Sequence, residues 1–302
     1  PNQRVYLSRI KVKHCWTCDF MNGLSKKYER LKRFVKEKGE KGVVVAFSGG
    51  VDSSTLAAVC RMLLGERVIA VTARSPTYPQ EELNEAERIA KRIGIRHRIV
   101  ETRELSNKDF VRNPENRCYY CKKELLNCLQ NIANQLGFKA IFEGTNFSDL
   151  SGHRPGFKAV RKRKNVYSPW VENEFGKGEI RLLAKRLGLA VHDKPALACL
   201  ASRIPFGEQI TKQRLDRVGR AERLIKENVG VRQLRVRDHN GLARIEVGRK
   251  ERDLFFNIEL IDRITGELKQ LGFKFATLDL EGYRTGSMLL DMKTNNPRNR
   301  KM

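Results

Sequence analysis

The run Val43-Val44-Val45-Ala46-Phe47-Ser48-Gly49-Gly50-Val51-Asp52-Ser53-Ser54 constrains this chain more than any other stretch. Consecutive β-branched residues without polar alternation predict a strand buried on both faces, and such strands belong to parallel sheets. The strand ends in glycines and hydroxyls, and an apolar helical pattern follows from Thr55 to Leu64. A strand–loop–helix unit of this kind offers bare N–H groups and the positive end of a helix to a phosphate. Gly49 and Gly50 admit close backbone approach. The hydroxyls of Ser48, Ser53 and Ser54 can donate to phosphate oxygens, and the Asp52 carboxylate suits magnesium. The Gly-Lys-Ser/Thr of a Walker loop is missing. The plain alternative is a serine-rich turn that starts a helix.

The pattern around this run is a series of βα units. A charged amphipathic helix, Leu24 to Lys38, stops at Gly39. Strand Val43–Phe47 leads to helix Ser54–Leu64, strand Arg67–Ala73 to helix Glu81–Ile93, and strand His97–Glu101 to helix Tyr119–Leu136. Strand Ala140–Glu143 then runs into Gly144-Thr145-Asn146. Alternation of this kind predicts an α/β fold, a doubly wound parallel sheet covered on both faces. Ligands in such sheets bind beyond the carboxyl ends of the strands, where Ser48–Ser54, Ala73 with its neighbours, and Gly144–Thr145 fall.

From Glu208 the order becomes α-β-β-α-β: helix Thr211–Glu227, strand Arg232–Arg237, a His239-Asn240-Gly241 turn, strand Leu242–Val247, helix Arg252–Leu271 and strand Phe273–Leu280. The expected division is a basic N-terminal extension over 1–41, a nucleotide-binding domain over 42–207, a small C-terminal α+β domain over 208–293, and a disordered basic tail over 294–302.

The formal net charge of +25 predicts attraction to anions such as nucleotides, RNA or phosphorylated small molecules. A heavily charged solvated surface explains it equally. The sequence has no apolar run of the ~20 residues that a membrane span needs, and no signal peptide is visible at the start. A cytoplasmic protein is expected, and seven cysteines in such a chain favour metal or catalytic roles over disulfides.

Cys60 and Cys128 lie on apolar helical patterns and read as packing. Cys118-Tyr119-Tyr120-Cys121 places two thiols on one side of a helix start. With the distant Cys199 they could ligate an iron–sulfur cluster or zinc; two ordinary helix cysteines are the bland reading. Cys199 is flanked by Lys194, Ser202 and Arg203 in a proline-containing loop, a cationic setting that favours thiolate. His14-Cys15-Trp16-Thr17-Cys18 is a single CxxC: Cys15 and Cys18 could share a zinc, form a redox pair, or sit in a surface turn.

Taken in order, these motifs resemble the LarE family of ATP-dependent sulfur transferases within the PP-loop ATP pyrophosphatases. The resemblance rests on Ser48–Ser54, Arg117–Lys122, Glu143–Asn146, Arg154-Pro155-Gly156, Ala198–Arg203, Val236-Arg237 with Ala243–Val247, and Leu278–Met288. It implies a PP-loop fold of the adenine nucleotide alpha hydrolase type. It also implies an enzyme that uses ATP and Mg2+ to adenylate a carboxylate of a pyridinium-3,5-dicarboxylate mononucleotide, releasing pyrophosphate. Sulfur then displaces AMP to give a thiocarboxylate, a precursor of a nickel-pincer cofactor. By the same resemblance Asp52 is catalytic, Ser48, Gly49, Gly50, Val51, Asp52, Ser53, Ser54, Ala73, Gly144 and Thr145 bind ATP, and Arg203, Arg235 and Arg237 meet the substrate phosphate. Cys118, Cys121 and Cys199 match the members that carry a [4Fe–4S] cluster fed by an external sulfide or other sulfur donor. Other members sacrifice the cysteine that matches Cys199. The family also implies a homo-oligomer.

Three rival readings stay open. A tRNA-thiolating PP-loop enzyme fits the charge, Arg161-Lys162-Arg163-Lys164 and the N-terminal CxxC, although its phosphate contacts would make binding fall steeply with salt. An ATP-dependent amide-forming synthetase shares the loop but leaves the three cysteines unexplained. A nucleotide-sensing adaptor would not need Asp52 and the paired serines.

Overall fold

The structure, a computed structural model, describes residues 19–152, 154–195, 198–284 and 286–288, with side chains from residue 23 onward. The Cys15/Cys18 motif and the 294–302 tail lie outside the described residues. The chain forms two compact units. The first takes residues up to 75, 80–102 and 118–197, and the second takes 76–79, 103–117 and the chain from 198 onward.

The first unit is built from α1 (Asp19–Lys38), β1 (Val43–Ala46), α2 (Val51–Leu64), β2 (Val68–Arg74), α3 (Gln80–Ile93), β3 (Arg96–Glu101), α4 (Arg117–Leu136), β4 (Ala140–Phe142), α5 (Pro155–Arg161), β5 (Val166–Tyr167) and α6 (Lys177–Arg186). Its five strands pair in the order β3-β2-β1-β4-β5, all parallel. This bears out the α/β expectation. The physical cause is visible on β1: Val43 and Val45 pack on one face with Leu31 and Val35 of α1, Leu56 and Val59 of α2, and Ile180 of α6. Val44 packs on the other face with Leu126 and Leu129 of α4 and Val160 of α5. A strand with an apolar face on each side has no solvent face to make polar, hence the unbroken valines. Each such fully buried side chain contributes ~1.5–3 kcal/mol relative to exposure. Helix α1 belongs to this core, since Leu24, Leu31 and Val35 are all buried.

The second unit holds α7 (Lys212–Val229), β6 (Leu234–His239), β7 (Leu242–Val247), α8 (Ile258–Gln270) and β8 (Phe275–Leu278), in the expected α-β-β-α-β order. β6 and β7 form an antiparallel hairpin and β8 joins β7 in parallel. Residues from the 103–117 insertion complete it: Phe110 is buried, and Asn113 Nδ2 donates to the carbonyls of Ile204 (3.3 Å) and Pro205 (2.7 Å).

Several boundaries differ from the sequence reading. Helix α2 starts at Val51 instead of Ser54, so Asp52 and Ser53 lie in its first turn. Strand β5 has two residues, too short for any periodicity, and α5 before it and α6 after it lie in a stretch to which the sequence pattern assigned no element. The expected helix Arg252–Leu271 is broken into 3-10 turns at Arg249–Glu251 and Asp253–Phe255, and α8 begins after Asn257. The cause is local: the Asn257 side chain accepts from Leu260 N at 2.9 Å and caps the helix there. Strand Arg232–Arg237 is shifted to Leu234–His239.

Candidate functional site

In the first unit the end of β1 turns directly into α2. Gly50 occupies the N-cap position with no side-chain cap, so the first N–H groups of α2 have no partner from a capping side chain. Gly49 has φ +64°, and a Cβ there would stand 3.0 Å from Ala86 Cα on α3. Only glycine meets both conditions. At the end of β4, a Cβ on Gly144 would stand 3.2 Å from Ser53 N, so these two loops lie against each other.

The hydroxyls are divided between scaffold and ligand. Ser53 Oγ accepts from Ser48 N at 3.1 Å and lies 3.2 Å from Gly50 O, fixing the turn. Ser54 Oγ and Asp52 Oδ1 are buried without a hydrogen-bond partner among the described residues. Buried polar atoms of this kind are costly unless something satisfies them. Asp52 Oδ2 is paired with Lys177 Nζ at 2.6 Å, and Trp170 Nε1 donates to the Asp52 carbonyl at 3.1 Å. Burial pushes the Asp52 carboxyl above the ordinary aspartate range, against the opposing pull of Lys177. Lys194 Nζ sits 2.8 Å from Glu82 and 3.4 Å from the Gly49 carbonyl. The oxygen donors of Asp52 and the unpartnered Ser54 hydroxyl suit a hard divalent cation with phosphate, so the residues fit Mg2+ and a nucleotide.

Glu143 organises the neighbouring strand end. It is fully buried and accepts from Thr145 N (3.2 Å), Thr145 Oγ1 (2.7 Å), Ser168 Oγ and Lys122 Nζ (2.8 Å). Burial works against its charge, but Lys122 and the hydroxyls hold its carboxyl below the ordinary glutamate range. Thr145 is thereby held beside Gly144. Ala73 stands half-buried at the end of β2, where Thr72 Oγ1 donates to the Phe47 carbonyl at 2.8 Å.

Cys118 and Cys121 lie in the first turn of α4, Cys118 exposed and Cys121 half-buried. Lys122, next to Cys121, is the residue that reaches Glu143. Two thiols three residues apart suit a soft metal. Cys128 is half-buried further along α4 and Cys60 is wholly buried on α2, where burial pushes its thiol far up.

Cys199 belongs to the second unit. It is half-buried before the 3-10 turn Leu200–Arg203. Arg203 Nη1 donates to the carbonyls of Ala198 (2.8 Å) and Cys199 (3.1 Å), while its Nε meets buried Glu222 at 2.8 Å. Burial opposes the charge of Arg203, yet Glu222 holds its pKa above the ordinary arginine range. Arg235 and Arg237 are both buried, which excludes a solvated basic strand. Arg237 binds Glu246 (2.7 Å), Ser287 Oγ (3.1 Å) and the Ser202 carbonyl (3.0 Å), and Arg235 stacks on Tyr283. Burial and the neighbouring Arg203 lower the pKa of Arg235. Within neither unit do three His, Cys, Asp or Glu side chains gather as a metal site among the described residues.

Comparison with known proteins gives this geometry its family. Residues 24–119 match the NAD synthase family model. The chain is 36% identical over 249 residues to the pyridinium-3,5-bisthiocarboxylic acid mononucleotide synthase of Lactiplantibacillus plantarum, covering 82% of this chain and 88% of that protein. The chain belongs to the LarE family of PP-loop ATP pyrophosphatases. The chain is also similar to two uncharacterised proteins: one of Synechocystis, 42% identical over 88% of this chain and 97% of its own length, and one of Methanocaldococcus jannaschii, 30% identical over 86% and 98%. ATP use follows from membership of the PP-loop family. No helix among the described residues is long and apolar enough to cross a membrane.

Sequence reasoning named every loop residue but missed Lys177, Trp170 and the organising role of Glu143. Lys177 lies 125 residues from Asp52 and carries no spacing signal; its one sequence mark is the Gly176–Glu179 start of an amphipathic helix.

Proposed function

We propose that this enzyme activates a carboxylate of a pyridinium-3,5-dicarboxylate mononucleotide with ATP and replaces one carboxylate oxygen by sulfur. The observation that carries the reading is the pair of orphaned buried groups, Asp52 Oδ1 and Ser54 Oγ, at an uncapped helix start, in a chain related over most of its length to the bisthiocarboxylate synthase. In the first step a carboxylate oxygen attacks the α-phosphorus of ATP, and the bond from that phosphorus to the bridging oxygen breaks. Pyrophosphate leaves. The N–H groups of Val51–Ser53, the Ser54 hydroxyl and Lys194 face the charge that grows on the leaving group. Mg2+, held by Asp52, would supply Lewis-acid stabilisation of that charge. In the second step hydrosulfide attacks the carbonyl carbon, the bond to AMP breaks, and a thiocarboxylate, AMP and a proton result.

Cys118, Cys121 and Cys199 would hold a [4Fe–4S] cluster, whose chemistry is to carry the sulfide that is transferred. Cys199 as a sacrificial donor is the alternative sulfur route. Arg235 and Arg237 with Arg203 form the buried cationic set suited to the substrate phosphate. The protein is proposed to act as a homo-oligomer in the cytoplasm. An N-terminal zinc at Cys15 and Cys18 remains a separate proposal.

The test is a reaction with ATP, Mg2+, the pyridinium mononucleotide and sulfide under anaerobic conditions. Pyrophosphate release coupled to exchange of one oxygen for one sulfur in the mononucleotide supports the reading. Pyrophosphate release only when tRNA is added would replace it with RNA thiolation. That second reading is favoured by Lys158, Arg161, Arg163 and Lys164, none of which has a carboxylate partner among the described residues.

A further inference from the structure

Asp52, the carboxylate to which the proposed function assigns the metal, already faces a cation. Lys177 Nζ lies 2.6 Å from Oδ2, while Oδ1 has no partner. We propose that Lys177 is an exchange cation. It occupies Asp52 in the nucleotide-free protein, keeps divalent metal off that carboxylate, and moves to the terminal phosphates when ATP and metal arrive together. This rests on the ATP-dependent reading above and adds the residue that couples metal entry to nucleotide entry.

The backbone that carries Lys177 is held in place. Lys177 N donates to Ser148 Oγ at 3.2 Å, and Phe147 N donates to the Phe175 carbonyl at 2.9 Å. Gly176 N donates to Glu179 at 2.8 Å, and Glu179 is gripped by Lys27 of α1, which also donates to the Glu174 carbonyl at 2.8 Å. Phe175 beneath this loop is fully buried against Trp170, whose indole holds the Asp52 backbone. The backbone on both sides of the ion pair is therefore anchored.

The ammonium itself has one acceptor, Asp52, and its side chain is 34% exposed. Two of its three N–H donors have no partner among the described residues. A structural ion pair in a packed interior saturates its polar atoms, because unmet ones are costly. This pair leaves a buried carboxylate oxygen without a partner among the described residues, and an ammonium partly open to solvent, at the uncapped start of α2. Those open groups point to further ligands at the same spot.

Charge decides the exchange. A divalent cation and an ammonium compete for one carboxylate and repel each other. Without nucleotide, the ammonium is the resident. A bound triphosphate adds negative charge beyond what one dication neutralises, so it gives the displaced ammonium a second, stronger partner. Lysine suits this task better than arginine would, as a compact charge on a flexible stem.

The experiment compares wild type, Lys177→Met, Lys177→Arg and Asp52→Asn, each first shown to melt cooperatively near the wild-type temperature. ATP affinity is measured by calorimetry with excess EDTA and with Mg2+, and Mn2+ uptake by the nucleotide-free protein is measured by electron paramagnetic resonance. Loss of one charge-assisted contact predicts that Lys177→Met weakens metal-free ATP binding by about tenfold or more, with Lys177→Arg retaining most of it. The same Lys177→Met protein takes up Mn2+ without nucleotide more tightly than wild type. Unchanged ATP affinity in EDTA together with unchanged Mn2+ uptake would overturn the exchange. If Asp52→Asn abolishes Mg2+-dependent ATP binding in that case, the PP-loop reading stands alone. If Asp52→Asn also binds ATP normally, both fail.

Discussion

Glu143 offers a quantitative test of how the nucleotide site is held. The perturbation is Glu143→Gln, which keeps the shape and removes the charge. In the wild type the buried carboxylate satisfies four donors, including the Lys122 ammonium at 2.8 Å. Breaking a buried pair costs ~3–5 kcal/mol, and because the Lys122 side chain is 23% exposed, water recovers part of that, leaving about 2–3 kcal/mol. For a unit of this size that corresponds to a melting temperature lower by roughly 5–10 °C. The sign with pH follows from the depressed carboxyl. The stabilisation is complete above the ordinary glutamate range and disappears as pH falls through the lower folded-state value. Thermal melts of both proteins should therefore differ most near neutrality and converge in acid. A gap of equal size at neutral and acid pH would refute the ionic account and assign the loss to packing. The same variant should raise KM for ATP, because Thr145 loses its charged acceptor.

Further outcomes are equally definite. Asp52→Asn should abolish pyrophosphate release while keeping the side chain's shape, at the loss of the charge that pairs with Lys177; full activity would remove Asp52 from the reaction. Cys118→Ser or Cys121→Ser should lower iron content after anaerobic reconstitution, and Cys128→Ser should not; equal iron in all three would displace the cluster from α4. Alkylation of the native protein should mark Cys118 well before Cys60, whose thiol burial pushes up; peptide mass spectrometry showing the reverse order would contradict the assigned burial. Arg203→Met should destabilise the second unit by about 3–5 kcal/mol, because buried Glu222 would lose its ion-pair partner and keep only the Val236 N–H; denaturant titration showing no loss would deny that pairing.

What was legible in the sequence was what is local. Val43–Ser54 is contiguous, so strand, turn and helix start could be read directly, and the sheet followed from βα alternation. The three-residue error at the start of α2 arose because the loop residues Asp52 and Ser53 double as a helical first turn. β5 was invisible because two residues have no period. Lys177, Trp170 and Glu143 act through contacts over 125, 118 and 21–25 residues of chain, and such contacts exist only once the sheet brings strand ends together. The arginines of β6 were legible as a pair but not as buried, since what covers them is distant in the chain: Glu246 of β7 pairs with Arg237 and the Tyr283 ring lies against Arg235.

The insertion at 103–117 has a consequence for anyone who would take this protein apart. The unit that bears Cys199 is assembled from chain made early and chain made late: Asn113 reaches the carbonyls of Ile204 and Pro205, and Gly207 N and Ile210 N bond back to Asn113 and Val111. Cutting the gene at residue 198 would release a fragment stripped of its own buried Phe110 and of those backbone partners. During synthesis residues 103–117 leave the ribosome with their partners still unmade. Recombination between relatives would have to exchange 76–79, 103–117 and the chain from 198 together to keep the Cys199 loop on its backbone partners.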